Sequence, residues 1–334
     1  MPLQQDSCYE EKSEGFLYMC VVVVGGAGFI GSHVTKRLLK ENIADYVKVY
    51  DNFSSGTESH LSEIMGDSRL SVVRGDVKDI EYLTEAFVSA DQVWHFASNP
   101  DIAKAMSQPD VDFWEGTYLT NNVLEAIRRT SVKELIYASG SGVYGETGHL
   151  ATGENYSPMR PTSTYGASKL AGEALICAYC HMFDLNARAY RFANVVGPKQ
   201  THGVGFDFVR RLRENPEKLK ILGDGRQSKS YIHVEDVIDA ILTSGNHAQK
   251  PFDVFNVATG DYITVKEIAD LALEVMNLSK NRVFYEYAGG DRGWKGDVPI
   301  VRFDLSKIHI TGWKSKLNSK EALRSAMLAM REEL

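Results

Sequence analysis

One segment limits what this chain can fold into more than any other. Gly25-Gly26-Ala27-Gly28-Phe29-Ile30-Gly31 stands between the apolar run Val21–Val24 and an amphipathic stretch opening near Ser32. A strand that turns into a helix over glycines lets the backbone approach a pyrophosphate closely. The helix N-terminus then offers unpaired N–H groups to the phosphates. Glycines alone would mark a flexible turn; here the flanking periods supply the context. Asp51 closes the second apolar run 20 residues beyond Gly31. A carboxylate there accepts hydrogen bonds from the adenosine ribose hydroxyls and repels a 2′-phosphate. The run Tyr50-Asp51-Asn52-Phe53 brings no Arg beside it, so the segment reads as a site for NAD over NADP. Asp76, in Arg74-Gly75-Asp76-Val77, reads either as an adenine contact or as a turn or N-cap carboxylate.

Beyond the turn, short apolar runs alternate with helical stretches, the grammar of a parallel sheet covered by helices. The runs are Cys20–Val24, Tyr46–Tyr50, Leu70–Val73, Gln92–Phe96, Glu134–Ala138 and Ala187–Phe192. Several are apolar throughout, as strands buried on both faces are. Between them stand Ser32–Lys40, Ile80–Val88, Thr120–Arg128 and Ser168–His181. The expected fold is α/β: a Rossmann-type doubly wound parallel sheet with a smaller, interleaved C-terminal substrate-binding domain. Residues 1–18 read as an N-terminal tail, and 19–195 with about 231–258 as the NAD-binding domain. About 196–230 with 259–334 make the second domain. This later half holds a helix candidate at Phe206–Glu214, a turn at Gly223-Asp224-Gly225 and a late strand at Val254–Val257.

Composition narrows the function classes. The net charge of −7, from 37 Lys and Arg against 44 Asp and Glu, gives no field toward a phosphate backbone, so no nucleic-acid partner is expected. Cys8, Cys20, Cys177 and Cys180 are too few for a disulfide framework. Cys177-x-x-Cys180 has no second ligand pair nearby, so thiols of a reducing cytosol are expected and no metal site. No apolar stretch reaches the roughly 18 residues a membrane helix needs, and the first residues are no signal peptide. The expected setting is cytoplasmic, with no membrane partner.

The second chemical signal is Tyr165-Gly166-Ala167-Ser168-Lys169. Positions i and i+4 share a helix face, which sets the ammonium beside the phenol. A free Tyr, with a pKa near 10, is a poor base at neutral pH. A neighbouring Lys and a positive nicotinamide ring both favour phenolate. Tyr-x-x-x-Lys alone is common; after a dinucleotide turn it reads as catalytic.

Further motifs join these: Ser54-Ser55-Gly56 after Phe53, Gly75-Asp76, His95-Phe96-Ala97, Val143-Tyr144-Gly145, Arg191–Pro198, Ile221–Gly225 and Ser230–Val237. Together they resemble the extended short-chain dehydrogenase/reductase family, from about Met19 to the C-terminus. Within it the chain is similar to nucleotide-sugar 4-epimerases of the UDP-glucose/UDP-galactose type. The resemblance implies a homodimer acting on a UDP-sugar, with a tightly held NAD that is used and regenerated in each turnover. Tyr165 would take the proton of the sugar 4-OH while C4 passes hydride to the nicotinamide. The 4-keto sugar would turn and take the hydride on its other face. Lys169 would hydrogen-bond the nicotinamide ribose and hold Tyr165 near its ionised form. Cofactor contacts are implied at Gly25, Gly28, Phe29, Ile30, Gly31, Asp51, Asn52, Ser54, Gly56, Asp76, Val77, Phe96, Ala97, Ser98, Ala138 and Ser139, besides Tyr165 and Lys169. Substrate contacts are implied at Asn99, Ser141, Tyr165, Asn194, Lys229 and Arg292. Lys229 stands where many relatives have Arg, so a bidentate contact becomes a point charge.

Three departures stand out. Gly140 occupies the place, three residues before Val143-Tyr144-Gly145, where relatives carry a Ser or Thr hydroxyl on the reacting oxygen. Trp114-Glu115-Gly116-Thr117 replaces a segment in which many relatives have an Asn. Ser98-Asn99-Pro100-Asp101 departs from the commoner Ala-rich version. Along a regular strand Ser139 and Ser141 face away from position 140. Gly140 and Gly142 free the backbone to swing Ser141 toward the sugar as the catalytic hydroxyl, with a bridging water as the other way to fill the role. An active but slower epimerase is therefore expected.

Other reactions of the scaffold fit less well. The 4,6-dehydratases place Asp-Glu where this chain has Ser141 and Gly142, and uronate decarboxylases place Glu at the second position. UDP-glucuronate 4-epimerisation is the alternative substrate reading. A non-catalytic NAD-binding protein would have no reason to keep both Tyr165 and Lys169.

Overall fold

The structure is a computed structural model that describes residues 18–248 and 251–334. Residues 1–17 of the expected tail, Cys8 among them, lie outside the described residues. Strands β1 (Cys20–Val24), β2 (Tyr46–Asp51), β3 (Leu70–Arg74), β4 (Gln92–His95), β5 (Glu134–Gly140) and β6 (Asn186–Phe192) follow the apolar runs of the sequence. After them come β7 (Asn194–Val196), β8 (Lys218–Ile221), β9 (Ser228–Lys229) and β10 (Tyr231–His233). Strand β11 (Phe252–Val257) returns to the main sheet, and β12 (Ile263–Thr264) and β13 (Phe284–Tyr287) complete the set. The main sheet has seven strands in the order β11-β6-β5-β4-β1-β2-β3, and every ladder in it is parallel. The expected α/β, doubly wound parallel fold is what the chain forms.

The helices are α1 (Phe29–Lys40), α2 (Ile80–Phe87), α3 (Tyr118–Arg128), α4 (Thr164–Met182), α5 (Val204–Glu214), α6 (Val234–Ser244), α7 (Val265–Val275), α8 (Ser306–Ile310) and α9 (Ser319–Glu333). Alternate residues of each buried strand feed opposite faces, as the pleat requires. Val21, Val23 and Ile136 pack against Leu38 of α1 and Ile238 of α6. Val22, Val24 and Leu135 pack against Leu83 of α2, Val123 of α3 and Ile176 of α4. A third core gathers Phe208, Leu219, Ile268, Leu271, Leu323 and Met327 from the later elements.

Two boundaries depart from the sequence expectation for local reasons. Helix α4 begins at Thr164, ahead of Ser168, because the Ser163 hydroxyl accepts the Gly166 N–H at 3.0 Å and caps it. Tyr165 therefore sits in a first helical turn. Helix α3 is entered through a π-turn over Phe113–Thr117, a hydrogen-bond pattern with no sequence period of its own.

The strand order reverses at β1: β2 and β3 lie to one side, β4, β5, β6 and β11 to the other. In open α/β sheets the crevice outside the carboxyl ends, at such a reversal, is where ligands bind. The glycine turn leaves β1 there and Phe96-Ala97-Ser98 leaves β4.

Candidate active site

The glycine turn is built for close approach. Gly25 holds φ +79°, and a Cβ on it would stand 2.7 Å from the Ala97 nitrogen. A Cβ on Gly31 would meet the Gly25 carbonyl at 2.2 Å. Helix α1 opens after Gly28 with no side-chain cap and no acidic residue in its first turn. Its N-terminus is thus a bare set of donors with a favourable dipole, which fits a pyrophosphate. Asp51 is 7% exposed; its Oδ2 accepts the Ala27 N–H at 2.9 Å and its Oδ1 the Phe53 N–H at 2.8 Å. A carboxylate has about four acceptor sites, so two backbone bonds leave room for ribose hydroxyls. The donor set and this carboxylate fit the dinucleotide expected from the sequence.

Around the adenosine end, Asn52 Nδ2 reaches Asp76 Oδ2 at 3.2 Å, and Ser54 N–H donates to Asn52 Oδ1. Asp76 Oδ1 accepts the Lys78 N–H at 2.9 Å, the turn role foreseen as one of its two readings. Val77 is buried, and Gly56 packs on Ala27, where a Cβ would clash at 2.6 Å. Sequence reading missed one cation. Arg74 lies opposite Asp51 in the β2–β3 ladder, stacked 4.1 Å above the Phe53 ring and paired with Glu58.

Across the crevice, Tyr165 and Lys169 project from α4. Lys169 is 3% exposed; its Nζ donates to the Ala138 carbonyl at 2.8 Å and lies 5.6 Å from the Tyr165 ring centroid. Burial brings its ammonium down to about 8, with Asp112 and Glu173 opposing the fall. Burial pushes the Tyr165 phenol up to about 12; the nearby Ser98 hydroxyl pulls the other way, and the Asp112 carboxylate adds to the rise.

At the exit of β5, Gly140 is fully extended (φ −162°, ψ 167°), and Ser141–Val143 form a single 3₁₀ turn. Ser139 turns away from the crevice, its hydroxyl donating to Glu173 Oε1 at 2.6 Å. Glu173 in turn holds buried Arg191 through two bonds of 3.0 and 2.6 Å. Ser141 is half-buried at the turn. A Cβ on Gly140 would meet only the Phe192 carbonyl, at 3.9 Å.

Asn99 is buried, with Nδ2 on Asp112 Oδ1 and on the Asp101 carbonyl, both at 2.9 Å. Asn194 is exposed at the start of β7, its Nδ2 on the Ser230 carbonyl at 3.1 Å. Lys229, one residue away from Ser230, is paired with Asp297. Arg292 grips Asp291 through two bonds of 3.0 Å and Glu146 at 2.8 Å. Asn194 and Lys229 thus share one edge, while Arg292 bridges two loops. Asp112 and Asp297 were not foreseen; their partners lie elsewhere in the sequence and no local pattern marks them. Among the described residues no His, Cys, Asp and Glu gather as a metal site, and no helix is long and apolar enough to cross a membrane.

Residues 21–258 match the NAD dependent epimerase/dehydratase family. The UDP-glucose 4-epimerase of Mycolicibacterium smegmatis is 32% identical over 313 residues, covering 91% of this chain and 96% of that protein. A crystal structure of a UDP-galactose 4-epimerase superposes with a TM-score of 0.84 at 35% identity, covering 95% of this chain and 100% of that one. The dTDP-glucose 4,6-dehydratase of Streptomyces venezuelae, solved with NAD and TYD bound, gives a TM-score of 0.86 at 26% identity over 94% and 97% of the two chains.

Proposed function

The chain belongs to the NAD-dependent epimerase/dehydratase family, and on that premise we propose that it inverts C4 of a UDP-hexose, with UDP-glucose and UDP-galactose as the pair. NAD held at the glycine turn supplies a hydride acceptor and donor. Phe29 and Ile30 present backbone N–H groups to its pyrophosphate, and Asp51 holds the adenosine ribose. Tyr165 takes the proton of the sugar 4-OH and later returns it, and Lys169 holds the ribose and opposes reprotonation. Asn194, Lys229 and Arg292 lie toward the diphosphate; each must trade a present partner for it, Lys229 leaving Asp297 and Arg292 leaving Glu146. Ser141 faces the sugar from the 3₁₀ turn.

The observation that carries epimerisation over dehydration is the exit of β5. Loss of water across C5 and C6 needs a proton donor and acceptor there, and Ser141-Gly142 supplies no carboxyl. The buried carboxylate Asp112 is already bonded to Asn99 and Thr164. Inversion asks only for one base, the cofactor and room to turn. Incubation with UDP-glucose, UDP-galactose, UDP-glucuronate and dTDP-glucose, with products resolved by chromatography, tests the reading. Interconversion of the first two is expected; a 4-keto-6-deoxy product would overturn it.

A further inference from the structure

Asp112 is a carboxylate no sequence pattern singled out. It is 1% exposed and immediately precedes the π-turn that leads into α3. Two donors reach it: Asn99 Nδ2 at 2.9 Å on Oδ1, and the Thr164 hydroxyl at 2.6 Å on Oδ2. Asn99 belongs to the segment leaving β4, which its own amide braces by accepting the Asp101 N–H at 3.1 Å and donating to the Asp101 carbonyl. Thr164 is the residue before Tyr165. The two segments joined by this one carboxylate are therefore the one that carries Ser98 and the one that carries Tyr165.

We infer that Asp112 is a positioning residue of this site: its carboxylate clamps the Ser98–Asp101 segment to the opening turn of α4 and so fixes where that turn holds the Tyr165 phenol. The inference rests on Tyr165 being the base. Charge adds a second effect. The groups facing Tyr165 are Ser98, Asp112, Lys169 and Tyr137; those facing Lys169 are Asp112, Glu173 and His95. Asp112 opposes loss of the Tyr165 proton and supports the Lys169 ammonium. A base that must hand its proton back to the sugar oxygen in every turnover needs that restraint, or the return half of the reaction lacks its acid.

The test separates clamp from charge. Asp112→Asn removes the charge; Thr164→Val keeps it and removes one arm of the clamp. Each is titrated with NAD bound and no substrate by phenolate ultraviolet absorbance, subtracting the same variant carrying Tyr165→Phe, so that Tyr165 alone is read. Asp112→Asn is expected to lower the Tyr165 midpoint by about one pH unit, a shift typical of losing one nearby charge. Thr164→Val is expected to leave that midpoint in place while kcat falls roughly tenfold and KM stays within about twofold. An unmoved midpoint in folded Asp112→Asn protein overturns the inference, as does parental kcat in Thr164→Val. Should Asp112→Asn fail to fold, Asn99→Ala replaces it, and parental kcat there overturns the clamp. If Tyr165→Phe turns over normally while the midpoints shift as expected, it is the assignment of the base that falls.

Discussion

Tyr165 meets two kinds of control: a buried carboxylate near it and an ammonium against its ring. Tyr165→Phe should cut turnover by roughly 10²–10⁴, the worth of a positioned base, with NAD still bound by absorbance. Position 140 offers the opposite prospect. A side chain there would touch only the Phe192 carbonyl at ordinary contact distance, so Gly140→Ser should fold normally and raise kcat by a few-fold. Ser141→Ala, assayed beside it, should lower kcat; unchanged rates in both would mean that neither position supplies a hydroxyl to the reaction. At the far end of the crevice, Asp51→Ala should weaken NAD binding and relax the discrimination against NADP, with Arg74 near enough to meet a 2′-phosphate. Titration calorimetry with both dinucleotides checks this. Residues whose job is local, such as Gly25 and Asp51, were legible because strand, turn and helix are consecutive. Asp112 was not, since it meets Thr164 across 52 positions and Asn99 across 13.

Among the elements, α4 carries the most. Its first turn holds Tyr165, and Gly116 of the π-turn packs so tightly on it that a Cβ would stand 2.7 Å from Ser168 Oγ. Further along, Glu173 pins it to β6 through Arg191, both nearly fully buried. Arg191 also donates to the Tyr144 hydroxyl at 2.9 Å, which tethers the Val143-Tyr144-Gly145 turn to the same pair. Glu173→Ala strands a buried guanidinium and should destabilise the fold by about 3–5 kcal/mol, seen as a lower denaturant midpoint. Strands were legible from their apolar runs because burial on both faces leaves no other composition. Helix starts were less so: the cap at Ser163 sets the start of α4 ahead of the amphipathic run.

For the molecule as a whole, acid stability follows from groups kept out of their usual charge state. His95 is buried with Nδ1 unbonded, and burial lowers its pKa to about 3. The unfolded chain takes up that proton near pH 6.5, so the stability this group supplies is complete above that pH and is lost progressively as pH falls toward 3. Glu125 and Glu235, each lowered to about 2 first by hydrogen bonds from Arg128 and His33 respectively, add a second loss below about pH 4.5. Melting temperature against pH should fall in these two stages, and His95→Phe should flatten the first. The doubly wound parallel sheet was legible in the sequence's alternation of runs, whereas the pairing of Asp112 with two loops came only from the assembled chain. The π-turn gives that pairing an unusual heredity. An α-helix advances about 100° per residue, so loss of one codon within 113–117 would restore the ordinary repeat and rotate Asp112 away by that angle. Every side chain of the site would still be encoded. The placement of Asp112 thus depends on a count of residues as much as on their kinds.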